Sequence, residues 1–231
     1  MNTEKEMKFR HEYKYSINQA DAMAIRQRLS LLARPDTHVE TNGKYRIRSL
    51  YFETPDDKAL REKLEGINCR EKFRIRYYND DTSFIRLEKK TKVNGMGNKL
   101  SARLTKEECE RLIHGDISWM GESKKALILE LYAKMKYQQL KPKTIVEYTR
   151  EPFLYGPGNV RVTMDSQIKT GIHSKDFFSQ ELPSARINAG DLMILEVKYD
   201  EFLPTIIKNA IQVKNRKSTA FSKYAVSRIY G

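Results

Sequence analysis

Ionic and apolar residues alternate along this chain in a way that predicts β-strands. The clearest case is residues 70–78, where one face is basic and carries Arg70, Lys72, Arg74 and Arg76. Aromatic and aliphatic side chains occupy the other face. For one strand alone, the simpler interpretation is a basic face in contact with water. The same alternation recurs, however, and predicts further strands at 9–17, 44–52, 83–92, 99–104, 144–153, 160–165 and 192–199.

Amphipathic helices are predicted between these strands. Asn18, Thr54 and Thr105 have side chains that cap helix N-termini, and each precedes a helical pattern. Longer helical patterns cover residues 124–140 and 204–213. Because each helix carries an apolar stripe, each must cover an apolar surface of the sheet.

If the strands form a closed sheet, its two faces can be arranged in two ways. The apolar side chains can fill the barrel and leave the charges outside. Alternatively, the ionic faces line the interior and the helices cover the apolar outside. The amphipathic helices favour the second arrangement. We therefore predict an α+β fold, an antiparallel β-barrel with a polar, basic interior and helices packed on the outside.

The charge balance indicates what such an interior would bind. The chain has 231 residues, with 43 Lys and Arg against 30 Asp and Glu, and a formal net charge of +13. Many cations inside a barrel are unfavourable unless a polyanion fills it, and arginine side chains match phosphate oxygens. The interior is thus predicted to bind a chain of phosphates. Nucleic-acid binding would require the basic faces to lie outside, and it is not expected.

A single domain is predicted over residues 1–231, with a loose N-terminus at 1–7, since neither a repeat nor a linker interrupts the pattern. Residues 166–190 show no clear period apart from a short strand predicted near Ile187. The polar residues 1–8 do not resemble a signal peptide, and no apolar run approaches the ~20 residues that span a bilayer. We expect a soluble cytoplasmic protein without direct membrane insertion.

Three carboxylates share the basic strand faces. Glu12, Glu88 and Glu196 each lie two residues before a lysine on the same face. They can serve as counter-charges inside the barrel. Alternatively, they hold a divalent cation, a hard ion that prefers oxygen ligands and bridges phosphates. The pattern alone leaves both roles open.

Short motifs follow one another in a recognisable order: Glu12-Tyr13-Lys14, Ser49-Leu50-Tyr51-Phe52-Glu53-Thr54, Arg74-Ile75-Arg76-Tyr77, Tyr148-Thr149-Arg150, Arg161-Val162-Thr163-Met164-Asp165, Leu195-Glu196-Val197-Lys198 and Phe221-Ser222-Lys223-Tyr224. In this order they resemble the triphosphate tunnel metalloenzymes, and within them the catalytic domain of vacuolar transporter chaperone (VTC) polyphosphate polymerases. The resemblance runs from about Phe9 to Tyr224. It implies a tunnel barrel that binds ATP and triphosphate or polyphosphate, together with Mn or Mg.

The resemblance also implies roles for individual residues. The catalytic cations that grip phosphates would be Lys14, Arg74, Arg76, Arg150 and Arg161. Further phosphate contacts are expected from Arg48, Lys90, Lys99, Tyr148, Lys198, Ser222 and Lys223. Glu196 would be the metal ligand. The Glu-x-Glu-x-Lys signature of the superfamily reads Arg10-x-Glu12-x-Lys14 here, which leaves fewer carboxylates for metal and argues against a two-metal hydrolase.

The leading hypothesis is a metal-dependent polyphosphate polymerase that transfers the γ-phosphate of ATP to a growing polyphosphate chain. One alternative is a tripolyphosphatase or nucleoside triphosphatase that uses water as acceptor in the same tunnel. Another is a non-catalytic module that only binds polyphosphate. A separate membrane-protein partner that moves the product is compatible with the sequence.

Overall fold

A computed structural model describes residues 10–36, 39–171, 173–186, 193–213, 216 and 218–230. The N-terminus predicted at 1–7 and the strand predicted near Ile187 lie outside these residues. The described strands are β1 (His11–Ile17), β2 (Arg34–Pro35), β3 (Tyr45–Glu53), β4 (Cys69–Tyr78), β5 (Asp81–Val93), β6 (Met96–Leu104), β7 (Lys141–Tyr155), β8 (Val160–Gly171), β9 (Ser184–Arg186) and β10 (Met193–Tyr199). The described helices are α1 (Gln19–Ser30), α2 (Lys58–Leu64), α3 (Lys106–Ile113), α4 (Ala126–Tyr137), α5 (Thr205–Ala210) and α6 (Lys223–Tyr230).

All ten strands belong to one antiparallel sheet. Its main path runs β1-β10-β8-β7-β3-β4-β5-β6, while β2 pairs with β7 and β9 pairs with β8. The two edge strands of this path approach each other, and a single backbone bridge joins Arg10 to Gly97. The sheet is not fully closed, but it curls into a barrel-like tunnel. The predicted antiparallel barrel architecture is confirmed.

Two apolar clusters cover the outer face of the sheet. One lies between helices α3 and α4 and the four strands β3, β4, β5 and β6. Its residues Ile75, Leu87 and Leu131 are fully buried. The other joins β7, β8 and β10 with α1 and α5, and includes Ile25 and Val197. Helices α1, α3, α4 and α5 therefore bury their apolar stripes against the outside of the sheet, as predicted. In the part of the chain that the structure describes, no helix is long and apolar enough to cross a membrane.

The caps that the sequence predicts for α1 and α3 are present. Asn18 and Thr105 each accept a hydrogen bond from the third residue of their helix, and that residue's carboxylate accepts one in return. The predicted start at Thr54 is wrong by several residues, because α2 begins at Lys58. A turn intervenes in which Asp57 adopts a left-handed conformation with a φ of 53°.

Helix α6 packs against the inner face of the sheet, unlike α1, α3, α4 and α5. The ring of Tyr224 lies 5.0 Å from that of Tyr51, between centroids. An apolar cluster forms there from Tyr45, Ile47, Tyr51, Val146, Tyr148, Ile168, Ile194 and Tyr224. The carboxylate of Glu53 fixes this arrangement, since it accepts hydrogen bonds from the Tyr224 hydroxyl and from the backbone of α2. Part of the interior is therefore apolar and filled by α6.

Strand β3 presents its uncharged face to the interior, which overturns the expectation for Arg48. Ser49 and Tyr51 lie opposite Arg76 and Arg74 of β4, so Arg48 points outward. It is 2% exposed and donates to the Glu147 carboxylate at 2.7 Å and to the carbonyl oxygens of residues 177 and 179. The prediction that Arg48 contacts phosphate is wrong, because hydroxyl and aromatic groups occupy the inner face of its strand.

Substitution of Arg48 tests this structural role. In Arg48→Ala, the buried carboxylate of Glu147 loses its partner, and we expect unfolding to become easier by about 3 to 5 kcal/mol in urea titrations. The matched control is Arg111→Ala, which removes an exposed ion pair with Asp116 and should change stability by no more than ~1 kcal/mol. If Arg48→Ala had unchanged stability and bound phosphate more weakly, Arg48 would be a phosphate contact inside the tunnel.

Candidate functional site

Ionic side chains from six strands and one helix meet on the inner face of the sheet. Cross-strand pairing places Arg74 opposite Glu88, Lys72 opposite Lys90, and Lys14 opposite Glu196. Pairing of β7 with β8 places Arg150 opposite Asp165. The structure thus brings together eight cations with four carboxylates, namely Lys14, Lys72, Arg74, Arg76, Lys90, Arg150, Lys198 and Lys223 with Glu12, Glu88, Asp165 and Glu196.

Hydrogen bonds fix the two arginines of β4 in different ways. The Arg74 guanidinium donates to the carboxylate of Glu88, with Nε 2.7 Å from Oε2, and to the hydroxyl of Tyr51 at 3.0 Å. Glu88 is 1% exposed. Burial alone would raise its pKa, but Arg74, Arg76 and Lys99 hold the pKa far below its usual range. It is therefore a permanent counter-charge.

Among the residues that the structure describes, the hydrogen-bond partners of Arg76 are uncharged. Its Nε donates to the Ser49 hydroxyl at 2.8 Å, and its terminal nitrogen donates to the Tyr148 hydroxyl at 3.0 Å. The guanidinium carbon also lies 5.8 Å from the centre of the Tyr148 ring. These contacts orient the guanidinium without neutralising its charge, so the charge remains available to an anion.

Asp165 holds together the part of the site formed by β7, β8 and α6. It is fully buried and accepts two hydrogen bonds from Arg150, at 2.6 and 2.7 Å. The Nζ of Lys223 lies 2.5 Å from Oδ2 of Asp165, an oxygen that Arg150 also contacts, and 4.7 Å from the centre of the Tyr148 ring. The first residue of α6 therefore reaches into the tunnel because a buried carboxylate binds its ammonium group.

Glu12, Lys14, Glu196 and Lys198 form an interlocked group on β1 and β10. The Lys14 Nζ lies 3.2 Å from Glu12 and 3.6 Å from Glu196, while Lys198 lies 3.8 Å from Glu12 and contacts Glu196 directly. Burial alone would raise the pKa of Glu196, but Lys198 and Lys14 keep it well below its usual range. Glu196 is thus ionised and shared between two lysines.

Lys72 and Lys90 have no carboxylate within ion-pair distance among the residues that the structure describes. Burial, followed by Arg74 and Lys198, lowers the pKa of Lys90 well below its usual value. Burial is also the largest cause that brings the pKa of Lys72 to about 8. Lys72 lies 5.5 Å from the centre of the Tyr51 ring. These two lysines concentrate the uncompensated positive charge of the tunnel, and a bound polyanion would compensate it.

The other predicted contacts lie at the borders of this group. Lys99 is half-exposed and reaches Glu88 at 3.0 Å. Arg161 lies at one end of the tunnel, where it contacts Asp36 at 2.6 Å and the Tyr45 hydroxyl at 2.8 Å. The Ser222 hydroxyl accepts a hydrogen bond from the backbone of Ala225 at 3.3 Å, so it caps α6.

Three residues of the site were not assigned from the sequence. Lys72 could have been, because it shares a strand face with Arg74. Asp165 could not be separated from an ordinary strand carboxylate until its pairing with Arg150 was known. Tyr51 gave no signal, since it belongs to the uncharged face of its strand.

The oxygen atoms near Glu196 fit a divalent cation that phosphate oxygens also help to hold. Among the described residues, no group of three or more His, Cys, Asp and Glu side chains could hold a metal. Glu196 and Glu12 nevertheless lie close enough to share two lysines, and the Thr163 hydroxyl opposite Glu196 is buried without a hydrogen-bond partner. Mg²⁺ is commonly held by one or two carboxylates plus substrate phosphates, which is what these residues offer.

Comparisons with known proteins agree with this geometry. The family model described as the VTC domain matches residues 9–229. Among solved structures, HpAC1 from Hippeastrum, an adenylyl cyclase candidate described as having a dominant triphosphatase activity, is 12% identical with a TM-score of 0.55, and 95% of each chain is covered. A Bacillus halodurans protein assigned as an adenylate cyclase is 13% identical with a TM-score of 0.50, covering 88% of this chain and 84% of that one. These likenesses show the fold. No curated protein matches the chain in sequence.

The ionisation of Tyr51 provides a test of the charge in this site. Burial raises the pKa of this 4% exposed tyrosine, but Arg74, Lys72 and Arg76 outweigh burial and lower the pKa to about 7. We expect one tyrosine to ionise near pH 7 in ultraviolet absorbance titrations, and Tyr51→Phe to remove that transition. Because the pKa of Tyr51 is lower in the folded protein than in the unfolded chain, ionisation of Tyr51 should increase the free energy of unfolding as the pH rises from about 7 to 10. Triphosphate should move the transition to higher pH, since it adds negative charge nearby. Identical titrations of the wild type and Tyr51→Phe below pH 9 would contradict this arrangement.

Proposed function

The chain belongs to the VTC domain family, and we propose that it is a metal-dependent polyphosphate polymerase. In this proposal, the γ-phosphate of ATP is transferred to a growing inorganic polyphosphate chain inside the tunnel. The observation that carries the proposal is the excess of cations over carboxylates on the inner face, with Lys72 and Lys90 unpaired among the described residues. A linear polyphosphate supplies the matching negative charge along its whole length.

The arginines of the tunnel suit phosphoryl transfer because they are fixed before the substrate binds. Arg74 and Arg150 are oriented by Glu88 and Asp165, and Arg76 by two hydroxyl groups. Phosphoryl transfer spreads negative charge over the oxygens of the moving group. Preorganised donors stabilise such charge more strongly than groups that must reorient.

The metal ion, Mn or Mg in this proposal, would be held by Glu196, with Glu12 and Thr163 as further oxygen donors nearby. When bound, such an ion would supply positive charge that stabilises phosphate oxygens. Lys198, which contacts Glu196 directly, would contact a phosphate oxygen beside this carboxylate.

The spacing of the cations favours a polymer over a single phosphate group. Arg70, Lys72, Arg74 and Arg76 follow one another on the inner side of β4, and alternate residues of a strand lie about 7 Å apart. This row could contact several phosphates of one chain in succession.

A tripolyphosphatase or nucleoside triphosphatase in the same tunnel is the alternative. It would need a group that activates water, whereas each of the four carboxylates contacts a cation. A module that binds polyphosphate without turnover is the other alternative.

The decisive experiment is incubation with ATP and Mn²⁺, followed by sizing of the products on a gel. Long polyphosphate, destroyed by an exopolyphosphatase, supports the polymerase. Release of orthophosphate without polymer would support the hydrolase. Tight binding of polyphosphate without loss of ATP would support the binding module.

Lys90 is the residue at which function and stability should separate most clearly. Lys90→Ala removes a cation that repels its neighbours, so the free energy of unfolding should stay constant or rise. Turnover should fall by roughly 100-fold, because a phosphate contact is lost from the tunnel. Lys136→Ala, on the outer helix α4, is the matched control. Wild-type turnover in Lys90→Ala would place this lysine outside the phosphate path.

Glu196→Gln distinguishes a metal ligand from a counter-charge. If Glu196 holds the ion, removal of its negative charge should collapse the activity, which should recover only in part at much higher Mn²⁺. Binding of triphosphate without metal should persist through the cations. Glu130→Gln, which alters a lysine-paired carboxylate outside the tunnel, serves as control. Coincident Mn²⁺ titrations for wild type and Glu196→Gln, at saturating ATP, would leave Glu196 a structural counter-charge.

A further inference from the structure

The end of the tunnel at which β5 begins carries an aromatic side chain close to two arginines. Phe84 is 38% exposed, and the guanidinium carbon of Arg86 lies 4.5 Å from the centre of its ring. The guanidinium carbon of Arg103 lies 6.0 Å from the same ring. Arg86 donates to the Ser101 hydroxyl and Arg103 to the carbonyl oxygen of Ser83. In the described part of the chain, neither arginine has a carboxylate within ion-pair distance.

The alternation of β5 assigns this group to the tunnel side of the sheet. Ile85 and Leu87 are fully buried in the outer apolar cluster. Phe84 and Arg86 therefore share the inner side with Glu88. Arg86 lies opposite Arg76 on β4 and opposite Arg103 on β6. The arginines around Phe84 thus continue the row of cations in the tunnel.

The other end of β5 has a different character. Lys92 lies opposite Arg70 on β4, and Lys63 of α2 is close to both. Burial and the charge of Arg70 lower the pKa of Lys63 and of Lys92. This end therefore presents crowded cations, which suit phosphates, whereas the Phe84 end combines cations with an exposed ring.

We propose that the Phe84 end receives the nucleoside of the phosphoryl donor, with the adenine base stacked on the ring of Phe84. Arg86 and Arg103 would hold the phosphates nearest to the ribose. The γ-phosphate would then point towards Arg74 and Lys90. Phe84 and Glu88, the partner of Arg74, are four residues apart, about 13 Å along a strand, which leaves room for ribose and phosphates between them. This inference rests on the proposed function, in which ATP is the donor.

An exposed aromatic ring is the kind of surface on which nucleobases stack. Such stacking depends little on base identity, because each base presents a π-face. Arginine guanidinium groups beside the ring contribute both stacking and phosphate contacts. The same ring offers no comparable interaction to a chain of phosphates. The site therefore predicts a difference between a nucleotide and an inorganic triphosphate.

The test is calorimetric binding of two ligands, a non-hydrolysable ATP analogue and inorganic tripolyphosphate, each with Mg²⁺. For Phe84→Ala, we expect about 10-fold weaker binding of the ATP analogue and tripolyphosphate binding within twofold of wild type. Phe84→Tyr keeps an aromatic ring and should bind both ligands as the wild type does. Tyr137→Ala, which removes an exposed aromatic side chain on the outer helix α4, is the matched control.

Two outcomes would overturn the inference. One is equal weakening of both ligands in Phe84→Ala, which would mean that the ring supports the tunnel and not a base. The other is unchanged affinity for the ATP analogue. Failure of the proposed function would be seen in a different experiment, because product sizing would then reveal no polymer. Selectively weaker binding of the ATP analogue to Phe84→Ala would still establish the nucleoside site.

Discussion

The structure depends on the repulsion between cations that share a confined interior. Each of the four carboxylates inside the tunnel contacts at least two cations. Glu88 contacts Arg74 and Lys99, and Asp165 contacts Arg150 and Lys223. Sharing lets a small number of anions relieve enough repulsion for the barrel to form without a ligand. Because the compensation is incomplete, the folded tunnel retains a net attraction for polyanions.

Uncharged groups make a second contribution, because they orient cations without neutralising them. The hydroxyls of Tyr148 and Ser49 fix Arg76. A carboxylate at either position would orient the guanidinium equally well, but it would also remove the charge that attracts phosphate. Ser49 of β3 and Tyr148 of β7 thus serve the basic site by accepting hydrogen bonds from Arg76 without adding negative charge.

The sequence predicts the strands because alternation is a property of each strand by itself, and it predicts the inward basic faces because the amphipathic helices must cover an apolar outside. It fails at Arg48, since basic residues on β3 look the same whether they bind phosphate or a buried carboxylate such as Glu147. Only the pairing of β3 with β4 and β7 reveals which face is inside. Tyr51 was not predicted as a site residue for the same reason, and the role of Asp165 becomes clear only from its pairing with Arg150. Pairing between distant strands cannot be recognised in any single segment of the sequence. The roles of Arg48, Tyr51 and Asp165 could therefore be assigned only from the structure.

Helix α6 shows how the apolar and the ionic parts of the interior depend on each other. Its Tyr224 packs on Tyr51 inside the barrel and is held by Glu53, while the preceding residue, Lys223, reaches Asp165. The apolar contacts of α6 compensate for placing one more cation in a basic interior, because the ammonium group is carried in by a helix that is stable there. By filling part of the inner face, α6 also leaves the cations of β4 and β5 as a row beside the interlocked group on β1 and β10. A row of this kind matches an extended chain of phosphates better than it matches a compact anion.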